Sequence, residues 1–336
     1  MNLKEKLLVC LNVLVHDWRL VPPSFSTWKS AYANSHQTKA QQLFGELDET
    51  SRRTALDFIK KEFLLPEEGD DIRFFFFNWH RFFPGKASRK HKILKSQLES
   101  LMSELNIPVC DASSLIYHHG LAMLPDSVLK HLANKEFIDA GACWGESTWA
   151  MLKYAPRKVY AFEPSQNNRQ RFLETMHRSS ISDKDYQLVP FGLDDHNGIV
   201  HFNDSGTPSN ELGGEGDEEC KLVTLDDFSK EHNLNIGFIK ADLEGMGLNM
   251  VKGARNVIIE QRPMLTIAIY HSPEEFFGVY ETLHSFVTDY AFFIRALCLP
   301  MEMAEIALIA IPKEWLPAPA DGFILPSGHC MFRCSN

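Results

Sequence analysis

From residue 136 onward, short apolar runs alternate with stretches that carry apolar side chains at helical spacing. Phe137-Ile138 leads to Asp139 and breaks at Gly141 and Gly145. Residues 146–154 then read as a helix, and a second apolar run over 159–162 closes on Glu163-Pro164. Further strand patterns fall at 186–191, 199–202, 236–241, 264–270, 290–294 and 305–311. Helical patterns fall at 166–177, 225–232 and 273–286, and another runs toward Val251 with Gly253 past its end. Strands alternating with helices predict a parallel sheet covered on both faces. The last two strand patterns have a short connection, which predicts one antiparallel strand closing the sheet.

The first third follows a different pattern. Residues 1–65 read as helices, with a break at Pro22-Pro23 and Asp48 as N-cap of a helix carrying Leu56, Ile59 and Phe63. Residues 74–83, FFFFNWHRFF, are crowded with aromatic side chains, and six basic residues and no acid lie between Arg81 and Lys95. The expected form is a buried strand followed by a solvated basic helix. Leu94, Leu98, Leu101 and Leu105 make one apolar face of a helix that Pro108 ends. The gap from there to Glu136 is short, so residues 107–135 are expected to pack on the α/β unit. This divides the chain into a mainly helical region, 1–106, and an α/β domain, 107–336. The aromatic density predicts that the first region covers the acceptor side or self-associates into a homo-oligomer.

Composition narrows the class. A length of 336 residues, 44% hydrophobic and 23% charged, is that of a soluble globular protein. A net charge of −10 argues against a nucleic-acid partner, which would call for a basic face. Seven cysteines without a CxxC pair read as reduced thiols in a cytoplasm. LLVCLNVLV near the N-terminus is interrupted by Asn12 and followed by polar residues, so it reads as an amphipathic surface helix. No run approaches the ~18 apolar residues of a membrane span.

The strand, glycine turn, helix and strand of 136–164 form half of a nucleotide-binding unit, with an acid at the end of each strand. Glycines let the backbone approach a ligand closely, and Glu163 is placed to accept both hydroxyls of a ribose.

Four blocks in order then resemble the FkbM-type methyltransferases, a branch of the seven-stranded S-adenosylmethionine-dependent enzymes. They are Phe137-Ile138-Asp139-Ala140-Gly141-Ala142-Cys143-Trp144-Gly145; Val159-Tyr160-Ala161-Phe162-Glu163-Pro164 with Asn168; Val223-Thr224-Leu225-Asp226-Asp227-Phe228; and Ile239-Lys240-Ala241-Asp242-Leu243-Glu244-Gly245 with Gly253-Ala254. The resemblance covers 136 to about 312. It implies a Rossmann-like, mostly parallel seven-stranded sheet with an antiparallel last strand. It also implies an S-adenosylmethionine site drawn from Asp139, Gly141, Ala142, Cys143, Gly145, Glu163, Pro164, Asn168 and Asp242, with the adenine near Gly192 and Leu193. Hydroxyls of sugars, glycans or secondary metabolites are the implied acceptors. The chain departs from the family pattern at Gly247, where a second glutamate is usual, at Arg295-Ala296, where a histidine often follows the arginine, and in the bulk of Cys143 and Trp144.

Transfer of a methyl group to a hydroxyl needs alignment, exclusion of water and removal of a proton. His271 is the first candidate base, Asp242 the second, and Glu244 can bind substrate, orient Asp242 or cap the next helix. Asp194, Asp195, Asp242 and Glu244 match no recognised metal motif, and no resident metal is predicted. Two alternatives stand beside this reading: a non-catalytic S-adenosylmethionine-binding or interaction protein, and an NAD-dependent oxidoreductase. Against the latter, Glu146 sits at the helix start where a pyrophosphate would lie.

Overall fold

The computed structural model describes residues 47–64, 115–204, 218–297 and 305–318, with single or paired positions at 45, 92, 95, 96, 98–100, 102, 216 and 325. The part of the expected helical region before residue 45, the aromatic stretch 74–83, most of the basic run after it and most of the acidic, glycine-rich stretch 211–219 (ELGGEGDEE), which reads as a surface loop, lie outside the described residues.

The first described elements are α1 (Glu49–Leu64), a 3-10 helix (His118–Met123), α2 (Asp126–Leu132), β1 (Glu136–Ala140), α3 (Glu146–Leu152), β2 (Lys158–Phe162) and α4 (Gln166–Arg178). Next come β3 (Tyr186–Val189), β4 (Phe191–Leu193), β5 (Gly198–Phe202), β6 (Glu218–Val223), α5 (Leu225–His232) and β7 (Ile236–Ala241). The chain continues through α6 (Gly247–Gly253), α7 (Arg255–Gln261), β8 (Met264–Ala268), α8 (Pro273–Phe286), β9 (Tyr290–Ala296) and β10 (Ile306–Pro312).

Seven strands form one sheet in the order β3-β2-β1-β7-β8-β10-β9. β1, β2, β3, β7 and β8 pair in parallel, and β10 runs antiparallel between β8 and β9. This is the mostly parallel seven-stranded sheet expected. Alternation along β1 sends Phe137 to one face and Ile138 to the other. Phe137 packs with Leu121, Leu132 and Phe172; Ile138 packs with Ile239, Ile267 and Phe276. Both faces are covered, so β1, β7, β8 and β10 are buried from end to end. Charges inside this layer are paired: Lys240 Nζ lies 3.2 Å from Asp139 Oδ1, and Glu136 Oε1 lies 3.1 Å from Arg157 Nη1.

Local chemistry starts the helices. Ser165, Thr224 and Ser272 accept from the backbone N–H three residues on, which caps α4, α5 and α8. At the head of α1 the Ser51 N–H donates to Asp48 Oδ1 at 2.6 Å. The buried face of α1 includes Ala55, Phe58 and Ile59; of the expected stripe Ile59 is buried, Leu56 is more than one-third exposed, and the Phe63 side chain lies outside the described residues. Phe58 stacks on Phe276 of α8 with centroids 5.5 Å apart. Arg295 of β9 is 1% exposed and reaches Asp48 Oδ2 at 2.7 Å, so α1 is fastened over the edge strand of the sheet.

Three details differ from the pattern read along the chain. The run 186–191 is split by Pro190, which has no N–H to give a ladder, into β3 of the main sheet and β4 of a second sheet. That second sheet, β4-β6-β5, includes β6, whose sequence EECKLV reads as the tail of the acidic loop. A second short helix, α7, follows α6 directly. Among the described residues no helix is long and apolar enough to cross a membrane.

Candidate functional site

The carboxyl ends of β1, β2 and β7 meet at one crevice, as open α/β sheets dictate. The chain leaves β1 through Gly141 at φ +78, where a Cβ would lie 2.0 Å from the Asp242 carbonyl oxygen, so only glycine lets the two strand ends come this close. Gly145 opens α3 at φ +91, with Phe172 2.9 Å from where its Cβ would be. Between them Cys143 also takes positive φ, and its N–H donates to Glu163 Oε2 at 2.9 Å. Glu163 Oε1 accepts from the Ser165 N–H at 2.9 Å. Burial raises the Glu163 pKa against these hydrogen bonds and that of Asn168, to about 7.

Asp139 does different work. It is fully buried, and its Oδ2 accepts from Ser147 Oγ and Thr148 Oγ1, each at 2.6 Å, while Oδ1 faces Lys240. It ties the glycine turn to the first turn of α3 from behind. Lys240 Nζ also donates to the Gly141 carbonyl at 2.6 Å. Trp144 closes the outside of the turn, its Nε1–H donating to Asn168 Oδ1 at 3.1 Å and its ring lying under Arg171.

Gly141, Glu163, Pro164, Asn168, Gly192, Leu193, Asp242 and Glu244 all line the crevice, with Phe162, Phe191, Leu243 and Met246 as its apolar walls. Asp139, Ala142, Cys143 and Gly145 form the turn that bounds it and are not among its lining residues. Among the described residues neither Lys nor Arg lines it.

His271 follows β8 and stands beside this crevice. Its Nδ1 is 2.8 Å from Glu275 Oε2; its Nε2 lies 3.3 Å from Asp242 Oδ1 and 3.7 Å from Glu244 Oε2. The Nε2 contacts are ion pairs and do not meet hydrogen-bond geometry. Burial by itself would lower the His271 pKa, but Asp242 and Glu275 outweigh it and push it up to about 10. The neighbouring carboxylates thus favour the protonated ring, the form that donates from both nitrogens. Asp242 moves the opposite way: burial would raise its pKa, yet His271 and Lys240 hold it below the usual carboxylate range.

Three neighbours went unnoticed in the sequence. Tyr270 lies tilted against His271 with centroids 4.1 Å apart and donates from its hydroxyl toward Asp242 Oδ1 at 3.4 Å. His119 is buried on a turn where His118, His119 and Gly120 all have positive φ. Burial and then Lys240 lower its pKa to about 3, so it is neutral. His119, Thr266, Tyr270 and Glu305 border a small second cavity on the other side of Asp242. Glu275 is the third. Of these, only the paired histidines before Gly120 carry a local signal. As for metal, Asp194 and Asp195 cluster with His196, while Asp242 and Glu244 are not part of that group, so the four acids make no single cation site among the described residues.

Residues 139–297 match the family model described as methyltransferase FkbM domain. Among solved structures the chain is similar to methyltransferase FkbM from Methylobacillus flagellatus KT, at 18% identity and TM-score 0.56, over 84% of this chain and 60% of that one. The chain thus spans 60% of the length of that relative. It is also similar to the O-methyltransferase from Bacillus cereus in complex with SAH, at 11% identity and TM-score 0.38, over 65% of this chain and 90% of that one. A third is an rRNA methylase from Streptococcus thermophilus, at 13% identity and TM-score 0.38, over 56% of this chain and 92% of that one. At these identities the first likeness shows the fold alone, and the other two scores carry no further argument. No curated protein matches the chain.

Proposed function

We propose that this chain, whose residues 139–297 are a methyltransferase FkbM domain, is an S-adenosylmethionine-dependent O-methyltransferase acting on a hydroxyl of a sugar, a glycan or another small metabolite in the cytoplasm. The observation that carries the reading is the make-up of the crevice. Glu163, Asp242 and Glu244 stand among apolar walls, with no Lys or Arg lining it among the described residues. A pyrophosphate would find no cation there and would meet Glu146 in the first turn of α3, which disfavours a dinucleotide. A ribose, a flat base and positive charge suit the same donors and acceptors.

When bound, S-adenosylmethionine supplies a methyl group activated on a sulfonium, and Gly141, Glu163, Gly192 and Asp242 are the residues that would hold it. Glu163 would accept from the ribose hydroxyls with the lone pairs left by its two backbone N–H partners. Gly141 keeps the floor of the site at backbone height. Phe191 and Leu193 offer an apolar surface to the base.

Asp242 would take the acceptor's proton. A hydroxyl is a weak acid before attack and a strong one once its oxygen has begun to bond to carbon, so a low-pKa carboxylate suffices late in the step. His271, as an imidazolium, would steady Asp242 and donate toward the acceptor, and Glu244 would bind the acceptor beside it.

Calorimetry with S-adenosylhomocysteine and, separately, NAD tests the cofactor. The former should bind in the micromolar range, about −8 kcal/mol, and the latter should not bind. Glu163→Ala should weaken S-adenosylhomocysteine by about 1.5–3 kcal/mol, the range for hydrogen bonds to a charged group. NAD binding in place of S-adenosylhomocysteine would overturn the reading.

A further inference from the structure

The side chain that this reading leaves unused is Glu275, a carboxylate only 1% exposed. Its position in sequence suggests an ordinary task. Ser272-Pro273-Glu274-Glu275 opens α8 in the manner of a capping box, in which the glutamate reaches back to the N–H of the capping serine. Half of that box is present, since the Glu275 N–H donates to Ser272 Oγ at 3.1 Å. The other half is not: the Glu275 carboxylate turns away and spans to two other segments. Oε1 accepts from the Gly247 N–H at 3.0 Å, at the start of α6. Oε2 meets His271 Nδ1 at 2.8 Å.

Position 247 is shaped around this carboxylate. A Cβ there would lie 2.6 Å from Glu275 Oε1 and 3.3 Å from Ile267. α6 has no side-chain cap of its own, so the Glu275 charge also serves its positive N-terminal end. A carboxylate this deeply buried is tolerated only when both oxygens are answered, here by one backbone N–H and one imidazolium. The groups facing the His271 ring are Glu275 from α8, Asp242 and Glu244 from the segment after β7, and Tyr270, tilted against it from just past β8. Held at Nδ1, the ring has one way to present itself: Nε2 toward Asp242 and Glu244.

We propose that Glu275 is a positioning residue of the reaction, which fixes through Nδ1 both the orientation and the charge of His271, and that position 247 is kept free of a side chain to admit it. The role in chemistry rests on the proposed methyl transfer, with Asp242 as proton acceptor; Glu275 itself touches neither crevice nor acceptor. In Glu275→Gln a single acceptor oxygen remains for two donors, so either Gly247 or His271 loses its partner. Gly247→Ala reaches the same contact from the other side by pushing the carboxylate away.

The test follows the His271 ring by NMR on the full chain, which needs no acceptor. In Glu275→Gln the His271 titration midpoint should fall by about one pH unit or more, the usual effect of losing one adjacent charge, and above that midpoint the ring-nitrogen shifts should report a changed tautomer. Gly247→Ala should move the midpoint in the same direction, and it keeps the proposal testable should Glu275→Gln not fold. S-adenosylhomocysteine affinity should stay within about twofold of the parent in both, since neither residue lines the crevice. An unchanged His271 midpoint in either folded variant would overturn the proposal. So would loss of cofactor affinity in Glu275→Gln with the midpoint unmoved. Failure of the parent protein to bind S-adenosylhomocysteine would instead sink the methyltransferase reading and leave the His271 measurement standing.

Discussion

Replacing Asp48 by alanine should destabilise the sheet, although Asp48 is remote in sequence from every strand. Arg295 is almost fully buried, and its guanidinium meets Asp48 Oδ2 at 2.7 Å, Ser51 Oγ at 2.6 Å, the Ile294 carbonyl at 2.9 Å and the Leu325 carbonyl. Asp48→Ala removes the only carboxylate among these partners and leaves a buried cation, a loss of about 3–5 kcal/mol. It also removes the cap at the head of α1, about 1 kcal/mol more. With about 2.1 cal/mol/K of unfolding entropy per residue over 336 residues, a combined loss of about 4–6 kcal/mol lowers Tm by roughly 6–9 °C. Differential scanning calorimetry reads this directly.

A double variant, Asp48→Leu with Arg295→Met, should recover most of the loss, because it removes charge and countercharge together. The pH dependence has a definite sign. Burial would raise the Asp48 pKa, but Arg295 and Ser51 prevail and lower it from 3.8. The stabilisation is therefore full above the unfolded value near 3.8 and is lost as pH falls through the lower native value. A Tm change under about 2 °C in Asp48→Ala would refute the reasoning and mean that α1 is not held to the sheet by this pair.

Glu163 should make cofactor binding pH-dependent: ribose hydroxyls favour its ionised form, so S-adenosylhomocysteine should bind about tenfold more weakly at pH 6 than at pH 8. Glu163→Gln should flatten that calorimetric profile. The same raised pKa means that the Glu163 contribution to stability is present below about 4.5 and is lost as pH rises through about 7, which denaturant melts of parent and Glu163→Gln can compare. Asp242→Asn should weaken S-adenosylhomocysteine and lower single-turnover methyl transfer to an acceptor found by sugar screening by ~10²–10⁴-fold; normal turnover would move the proton acceptor elsewhere. A chain beginning at residue 108 loses Asp48 and α1 together and should be insoluble or melt earlier than the full chain, as gel filtration and calorimetry would show.

Local pattern was enough for the strand, turn, helix and strand of 136–164, for the helices that Ser165, Thr224 and Ser272 cap, and for the alternation that makes a covered parallel sheet. Those signals lie within a few residues of one another, and the physics behind them is equally short-ranged: period, caps and glycine turns. The crevice was legible for the same reason, because in an open α/β sheet the residues after parallel strands fall at one end. What needed the tertiary structure was every contact between distant segments. No spacing in the sequence says that Asp139 faces inward to Ser147, Thr148 and Lys240, because a buried acid and a ligand-facing acid look alike in one dimension. Nor does it say that β6 pairs with both β4 and β5, since EECKLV shows its inward Cys220 and Leu222 only once partners cover them. Nor does the sequence place Asp242 and Glu275 beside His271; strand pairing and helix packing bring them there, and carboxylates at about 3 Å raise the pKa of the ring.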